Sequence, residues 1–160
     1  LIGVEGKGFY YLMQGLQLER LVGAVMGYAS CEAALEYSIK YLKERKAFGV
    51  TIDKFQVLRH RVAQLASEIE AGKILTLQAS RMYNDGVVDT KLCSMSKLLV
   101  SELANKCMTE CLQFFGGYGF MEDYKMARAF RDARVGTIGA GTTEIMREIL
   151  SEMIIDGVKI

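Results

Sequence analysis

Glu19 is the first residue of this 160-residue chain whose type and setting could do chemistry. It lies in Leu16-Gln17-Leu18-Glu19-Arg20-Leu21, one turn into an apolar helix face. A carboxylate at such a position can accept a proton. The plainer reading is a carboxylate on a solvated edge, paired with a nearby arginine. Helical periodicity alone gives that reading most of the weight. Arg20 adjoins Glu19 in sequence, but adjacent helical residues do not face each other.

Four further segments admit both a chemical and a structural reading. Arg45-Lys46-Ala47-Phe48-Gly49 offers an arginine to a phosphate, yet basic residues followed by glycine also end a helix well. Asp53-Lys54-Phe55-Gln56 fits a capping box, with the Gln56 amide pointing at a ligand as the alternative. Gln113-Phe114-Phe115-Gly116-Gly117-Tyr118-Gly119-Phe120 sets glycines between aromatics, where backbone can approach another group closely. It follows no strand, so it is not the dinucleotide fingerprint, and a tight interhelical turn explains it almost as well. Gly139-Ala140-Gly141-Thr142-Thr143-Glu144 opens the last helix and resembles a cap. The N–H groups at such a start also suit an anion or a polar ring edge.

Other candidates are weaker. Cys107 and Cys111 share a helix face, but His60 is the single histidine and no second cysteine pair exists, so no metal site is expected. His60, between Arg59 and Arg61, reads as solvent-facing, and the nine methionines read as core.

The elements that must position these residues are helical almost throughout. Residues 1–8 hold three glycines and read as an entry loop. A long helix follows from about Phe9 to Lys46, with Leu18, Leu21, Val22, Val25, Ala29, Leu35, Ile39 and Leu42 inward. Asp53 caps a second helix carrying Phe55, Leu58, Val62, Leu65 and Ile69, ended by Asn84-Asp85-Gly86. Asp89 starts a third through Leu92, Met95, Leu99, Leu103, Cys107, Cys111 and Phe114. A short helix from about Asp123 to Arg134 precedes the 136–141 loop. The last helix turns Ile145, Ile149, Met153 and Ile154 inward. No convincing period-two alternation appears. The fold class is all-α, an up-down four-helix-bundle-like domain whose fourth, broken position is filled by the last two helices. A coiled-coil seam is the alternative, but the apolar faces are wider than a two-position seam and the turns are short.

Composition excludes several classes. Apolar residues are 51% and charged residues 24%, ordinary for one globular domain. Net charge is +1 with no long basic run, so neither nucleic acid nor an anionic membrane is an expected partner. No apolar stretch reaches the length of a membrane span. The N-terminus lacks a signal-peptide layout, and the start at Leu1 reads as that of a fragment. Cys31, Cys93, Cys107 and Cys111 are expected to be free, buried thiols in a reducing compartment.

Each motif is weak alone, but their order and spacing are specific. Leu-x-Leu-Glu-Arg is followed by Tyr41-Leu42-Lys43-Glu44-Arg45-Lys46-Ala47-Phe48-Gly49 and Phe55-Gln56. Then come Gln113 with Gly116–Phe120, Arg131-Asp132-Ala133-Arg134 and Gly139–Ile145. This series resembles the C-terminal domain of the acyl-CoA dehydrogenases, from the entry loop through about Met153. The resemblance implies an entry loop over 1–8, the helical bundle over 9–155 and a tail over 156–160. Family members are more than twice as long, with an N-terminal helical domain and a middle β-domain besides.

Most members place the catalytic glutamate just before the Gly-Thr that opens the last helix, and that position here is Ala140. A minority, including isovaleryl-CoA and some long-chain enzymes, place it in Leu-x-Leu-Glu-Arg and carry Gly-Ala-Gly-Thr at the loop. This chain has both halves of that swap, so the resemblance makes Glu19 the base. It also implies FAD as cofactor. Arg45 and Phe48 match flavin contacts near the pyrophosphate, and Gln56 a polar contact. Gln113, Gly116 and Gly117 match the segment that reaches the adenosine half of FAD across a dimer interface. Thr142 and Glu144 match the cofactor-binding helix start, where many relatives have glutamine instead of Glu144. Gln17, Leu18 and Arg20 flank the substrate, and Ala140 and Gly141 line the thioester pocket.

The implied reaction is α,β-dehydrogenation of an acyl-CoA. The base takes the pro-R α-proton and the flavin accepts the β-hydride. The resemblance further implies a homodimer or homotetramer, electron-transfer flavoprotein as acceptor, and a mitochondrial matrix location in a eukaryote or a cytoplasmic one in a bacterium. The same scaffold serves acyl-CoA oxidases and other flavoenzymes. A non-catalytic oligomerisation module is the alternative of a different class, against which the paired Glu19 and Ala140 speak.

Overall fold

Three long helices carry most of the chain in the computed structural model, which describes residues 1–158. They are α1 (Gly8–Glu44), α2 (Gln56–Asn84) and α3 (Thr90–Phe115), of 37, 29 and 26 residues. A short α4 (Gly117–Phe120) leads into α5 (Lys125–Ala133), a 3-10 turn (Arg134–Thr137) and α6 (Thr143–Ile155). The fold is all-α and bundle-like, as expected. The expected tail lies partly outside the described residues, at Lys159-Ile160.

Side-chain chemistry sets several boundaries. The Asp89 carboxylate accepts from the Leu92 N–H at 2.9 Å and caps α3. Gly86, at φ +81°, ends the stretch after α2. The Thr142 hydroxyl accepts from the Ile145 N–H at 3.3 Å and caps α6.

α1 and α3 run parallel, with their contacts rising together along both helices. Arg20 lies near Cys93, the Cys107 thiol faces the Cys31 carbonyl, and the Tyr41 ring stacks on Phe115 at 4.2 Å. α2 returns antiparallel beside them. α3 is the central helix, and α1, α2, α5 and α6 all pack on it. The core joins Leu35 and Leu42 of α1, Leu65 and Ile69 of α2, Leu103, Cys107 and Phe115 of α3, and Met126 of α5. Burying each large apolar side chain contributes about 1.5–3 kcal/mol. Among the described residues no helix is long and apolar enough to cross a membrane.

Several expectations need correction. α1 ends at Glu44 instead of Lys46, because Lys46–Ala47 (β1) and Val50–Thr51 (β2) pair as a two-residue antiparallel hairpin. Strands this short leave no alternation to read. Asp53 does not cap α2. It sits in a 3-10 turn (Ile52–Lys54), where its carboxylate is drawn to the Thr51 hydroxyl and to Lys54 at 3.2 Å, and Phe55 precedes α2 with no side-chain cap.

On α1, Leu18 and Val22 are half-exposed while Leu21 and Ala24 are buried. Leu99 of α3 likewise faces out. On α6 the buried face is Thr143, Met146 and Leu150, and Ile145 and Ile154 point outward. The fully buried Met146 packs against the loop, its Cε 2.7 Å from where a Gly141 side chain would begin.

Candidate active site

α1, α3, α5 and the loop after α5 enclose a cleft of about 770 Å³. Glu19, Lys97 and Ala140 line it from three different segments. The α1 wall of the cleft includes, beside Met26 and Tyr37, the small residues Gly23, Gly27, Ser30 and Ala34, which recur every three or four residues and so share one helix face. Small side chains there leave width for a ligand. Gly27 also lets α1 and α3 approach closely, since a Cβ at this position would come 2.7 Å from Val100 Cγ1.

The loop that carries Ala140 is held from inside the protein. Ala140 (φ 54°) and Gly141 (φ +100°) are consecutive left-handed residues. A non-glycine residue in that region is strained and persists only where its surroundings hold it. Two buried cations do so. Arg20 Nε donates to the Ala140 carbonyl at 3.4 Å, and Lys97 Nζ donates to the Gly141 carbonyl. Arg20 Nη1 also donates to Gln17 Oε1 at 3.3 Å.

Arg20 and Lys97 are each only 4% exposed. Burial pulls the Arg20 guanidinium below its ordinary value, against an upward pull from Cys93. Burial, then Arg20, lowers the Lys97 ammonium, opposed by Glu102 and Glu144. The Glu144 carboxyl is held below its usual range by its own backbone N–H and then by the Thr142 hydroxyl.

The remaining candidates fall into two places. Glu19 is exposed and lines the same cleft as Ala140, while Gln17 and Arg20 turn into the protein and Leu18 stays on the surface outside the cleft. Thr142 and Glu144 stand next to this site at the start of α6, where the buried Thr143 Oγ1 has no hydrogen-bond partner among the described residues.

The second place is the far end of α1. Phe48 is 95% exposed at the tip of the β1–β2 hairpin with φ 53°. Among the described residues, Phe48 and Ala140 are the two non-glycine residues with positive φ. Arg45 stands over the Tyr118 ring at 5.6 Å, which brings it to the Gly116-Gly117 segment. Gln56, Gln113, Gly116 and Gly117 are all exposed. This surface carries exposed polar groups and an uncovered aromatic ring.

The family model described as the acyl-CoA dehydrogenase C-terminal domain matches residues 6–155. This chain belongs to the acyl-CoA dehydrogenase family. It is 40% identical over 155 residues to the mitochondrial long-chain specific acyl-CoA dehydrogenase of Mus musculus, covering 97% of this chain and 36% of that protein. It is 36% identical over 154 residues to a subunit of the caffeyl-CoA reductase–Etf complex of Acetobacterium woodii, covering 96% of this chain and 41% of that protein. The crystal structure of an acyl-CoA dehydrogenase from Geobacillus kaustophilus superposes with a TM-score of 0.94 at 38% identity, covering 96% of this chain and 40% of that one. The chain thus spans well under half the length of these relatives.

Within this acyl-CoA dehydrogenase domain, sequence reasoning missed two features of the site. One is Lys97, which no motif marked, although a lysine flanked by Ser94, Ser96 and Ser101 on a mainly buried helix was a usable signal. The other is the small-residue wall of α1, whose three-and-four spacing was readable at Gly23, Gly27, Ser30 and Ala34.

Proposed function

We propose that the full-length protein oxidises an acyl-CoA thioester to its α,β-unsaturated form, with Glu19 as the base that takes the α-proton. The observation that carries this reading is that Glu19 and Ala140 line one cleft. The domain has no carboxylate at Ala140, and Glu19 supplies one across the same space. A positioned carboxylate contributes about 10²–10⁴-fold to such a proton transfer.

FAD supplies the hydride acceptor when bound. Thr142 and Glu144 flank the reacting end of that cofactor, and Ala140 and Gly141 line the thioester pocket. Gln17 and Arg20 act from behind the cleft, and Leu18 lies on the surface outside it. Arg45, Phe48 and Gln56 hold phosphate and ring groups at the other end of the domain, with Gln113, Gly116 and Gly117. Glu19 and Arg45 are 26 residues apart on one helix path, or roughly 39 Å at 1.5 Å per residue. We take one copy's two groups to serve different cofactor molecules, with a second copy completing each site. This supports a homodimer or homotetramer. Electron-transfer flavoprotein is the proposed acceptor, consistent with the relative that belongs to an Etf complex.

The test is turnover by the full-length, flavin-loaded protein with straight and branched acyl-CoAs, beside its Glu19→Gln variant. Turnover that disappears in the variant supports the assignment, and equal turnover removes it.

A further inference from the structure

We infer that Lys97 is a positioning residue for this site, tying the Ala140–Gly141 turn to α3 so that Ala140 stays opposite Glu19. The inference rests on reading the Glu19–Ala140 cleft as the site of reaction. Lysine is almost never fully buried unless it is paired. Lys97 is 4% exposed, and among the described residues no carboxylate lies within ion-pair distance of it. Its ammonium donates one hydrogen bond, to the carbonyl of Gly141.

The acceptor is informative. Gly141 and Ala140 are the left-handed pair of the loop, and the neighbouring carbonyl is taken by the other buried cation, Arg20. Two cations from two helices thus hold two consecutive carbonyls of a strained turn. Burying a cation without a counter-ion is costly, so a lysine serving only to pack would be better replaced by an apolar residue. Lys97 also lines the cleft itself, as do Glu19 from α1 and Ala140 from the loop. Removing its ammonium leaves the Gly141 carbonyl unpaired and the turn held from one side.

The experiment compares full-length wild type with Lys97→Gln and Lys97→Arg. Hydrogen–deuterium exchange is read on the 136–142 segment and on the α1 and α3 core. In Lys97→Gln, exchange rises in the loop and not in the core. A loop that exchanges as in wild type overturns the inference, whether or not the protein turns over acyl-CoA. In an active protein kcat falls by on the order of ten- to a hundred-fold, as expected for misplacement near 1 Å, while KM stays close to wild type. Lys97→Arg, which keeps charge and donors, recovers loop protection and most of kcat. A Lys97→Arg protein as impaired as Lys97→Gln overturns the inference. If Lys97→Gln does not fold, the Lys97→Arg result decides alone, with wild-type loop exchange supporting it and an unprotected loop in an intact core overturning it.

Discussion

Arg20 on α1 donates from Nε to the carbonyl oxygen of Ala140 at 3.4 Å, joining positions 120 residues apart in the chain. The bond places the residue after Glu19 against Ala140, which lines the same cleft as Glu19. Arg20 is therefore less a surface partner for Glu19 than a buried clamp behind it. Its fork of donors also reaches Gln17, so one guanidinium fixes the helix turn and the loop together. Lysine lacks that fork geometry. Arg20→Lys should keep the helical content but lower kcat by about ten-fold, the cost of roughly 1.4 kcal/mol in the barrier. Steady-state kinetics with circular dichroism checks this.

The two glycines of the cleft wall should respond in opposite ways. A methyl at Gly27 meets buried Val100 at 2.7 Å, so Gly27→Ala overpacks the α1–α3 contact and should destabilise by about 1–3 kcal/mol. A methyl at Gly23 meets nothing within 4 Å. Gly23→Ala should be neutral or stabilising by up to about 1 kcal/mol from helix propensity. Urea unfolding of the two variants gives the comparison.

Asp89 and Asp53 look alike in sequence but differ in the structure. Asp89→Ala removes the α3 cap and should cost about 1 kcal/mol. Asp53→Ala removes no helix cap, because α2 begins at Gln56, and should lower the melting temperature less than Asp89→Ala does. Thermal melts of both variants separate the cases.

This pair marks where the sequence was legible. Helix existence was readable from long three-and-four stripes on α2 and α3, and helix ends were readable at Asn84-Asp85-Gly86 and Asp89. The phase of α6 was not readable, because which side is buried, at Thr143, Met146 and Leu150, is decided by tertiary packing. The hairpin around Phe48-Gly49 was not readable either, since two paired residues per strand leave no pattern. Glu19 and Ala140 were individually ordinary. The pairing came from family motifs, and the shared cleft came from the fold. Lys97 stayed hidden because its acceptor is a backbone carbonyl 44 residues away, which no side-chain pattern encodes.

The thiols should be inert in the native state. Cys31, Cys93, Cys107 and Cys111 are all free and buried. A hydrogen bond with Cys111 pulls Cys107 down, but its bond toward Cys31 and burial raise it on balance to about 12. Its bond with Cys107, then burial, raises Cys111 further. The reactive thiolate is therefore scarce at pH 8. An aromatic disulfide reagent should label the native protein slowly and all four cysteines on unfolding in denaturant. Rapid native labelling of Cys107 or Cys111 would show that the α1–α3 core opens.

The central claim is that Glu19 moves the α-proton. Its most direct test is exchange of solvent deuterium into the α-carbon of an acyl-CoA by the full-length, flavin-loaded protein, followed by mass spectrometry. Wild type should incorporate the label. Glu19→Gln should bind the thioester yet incorporate it on the order of 10²–10⁴-fold more slowly. Incorporation by Glu19→Gln at the wild-type rate would contradict the account.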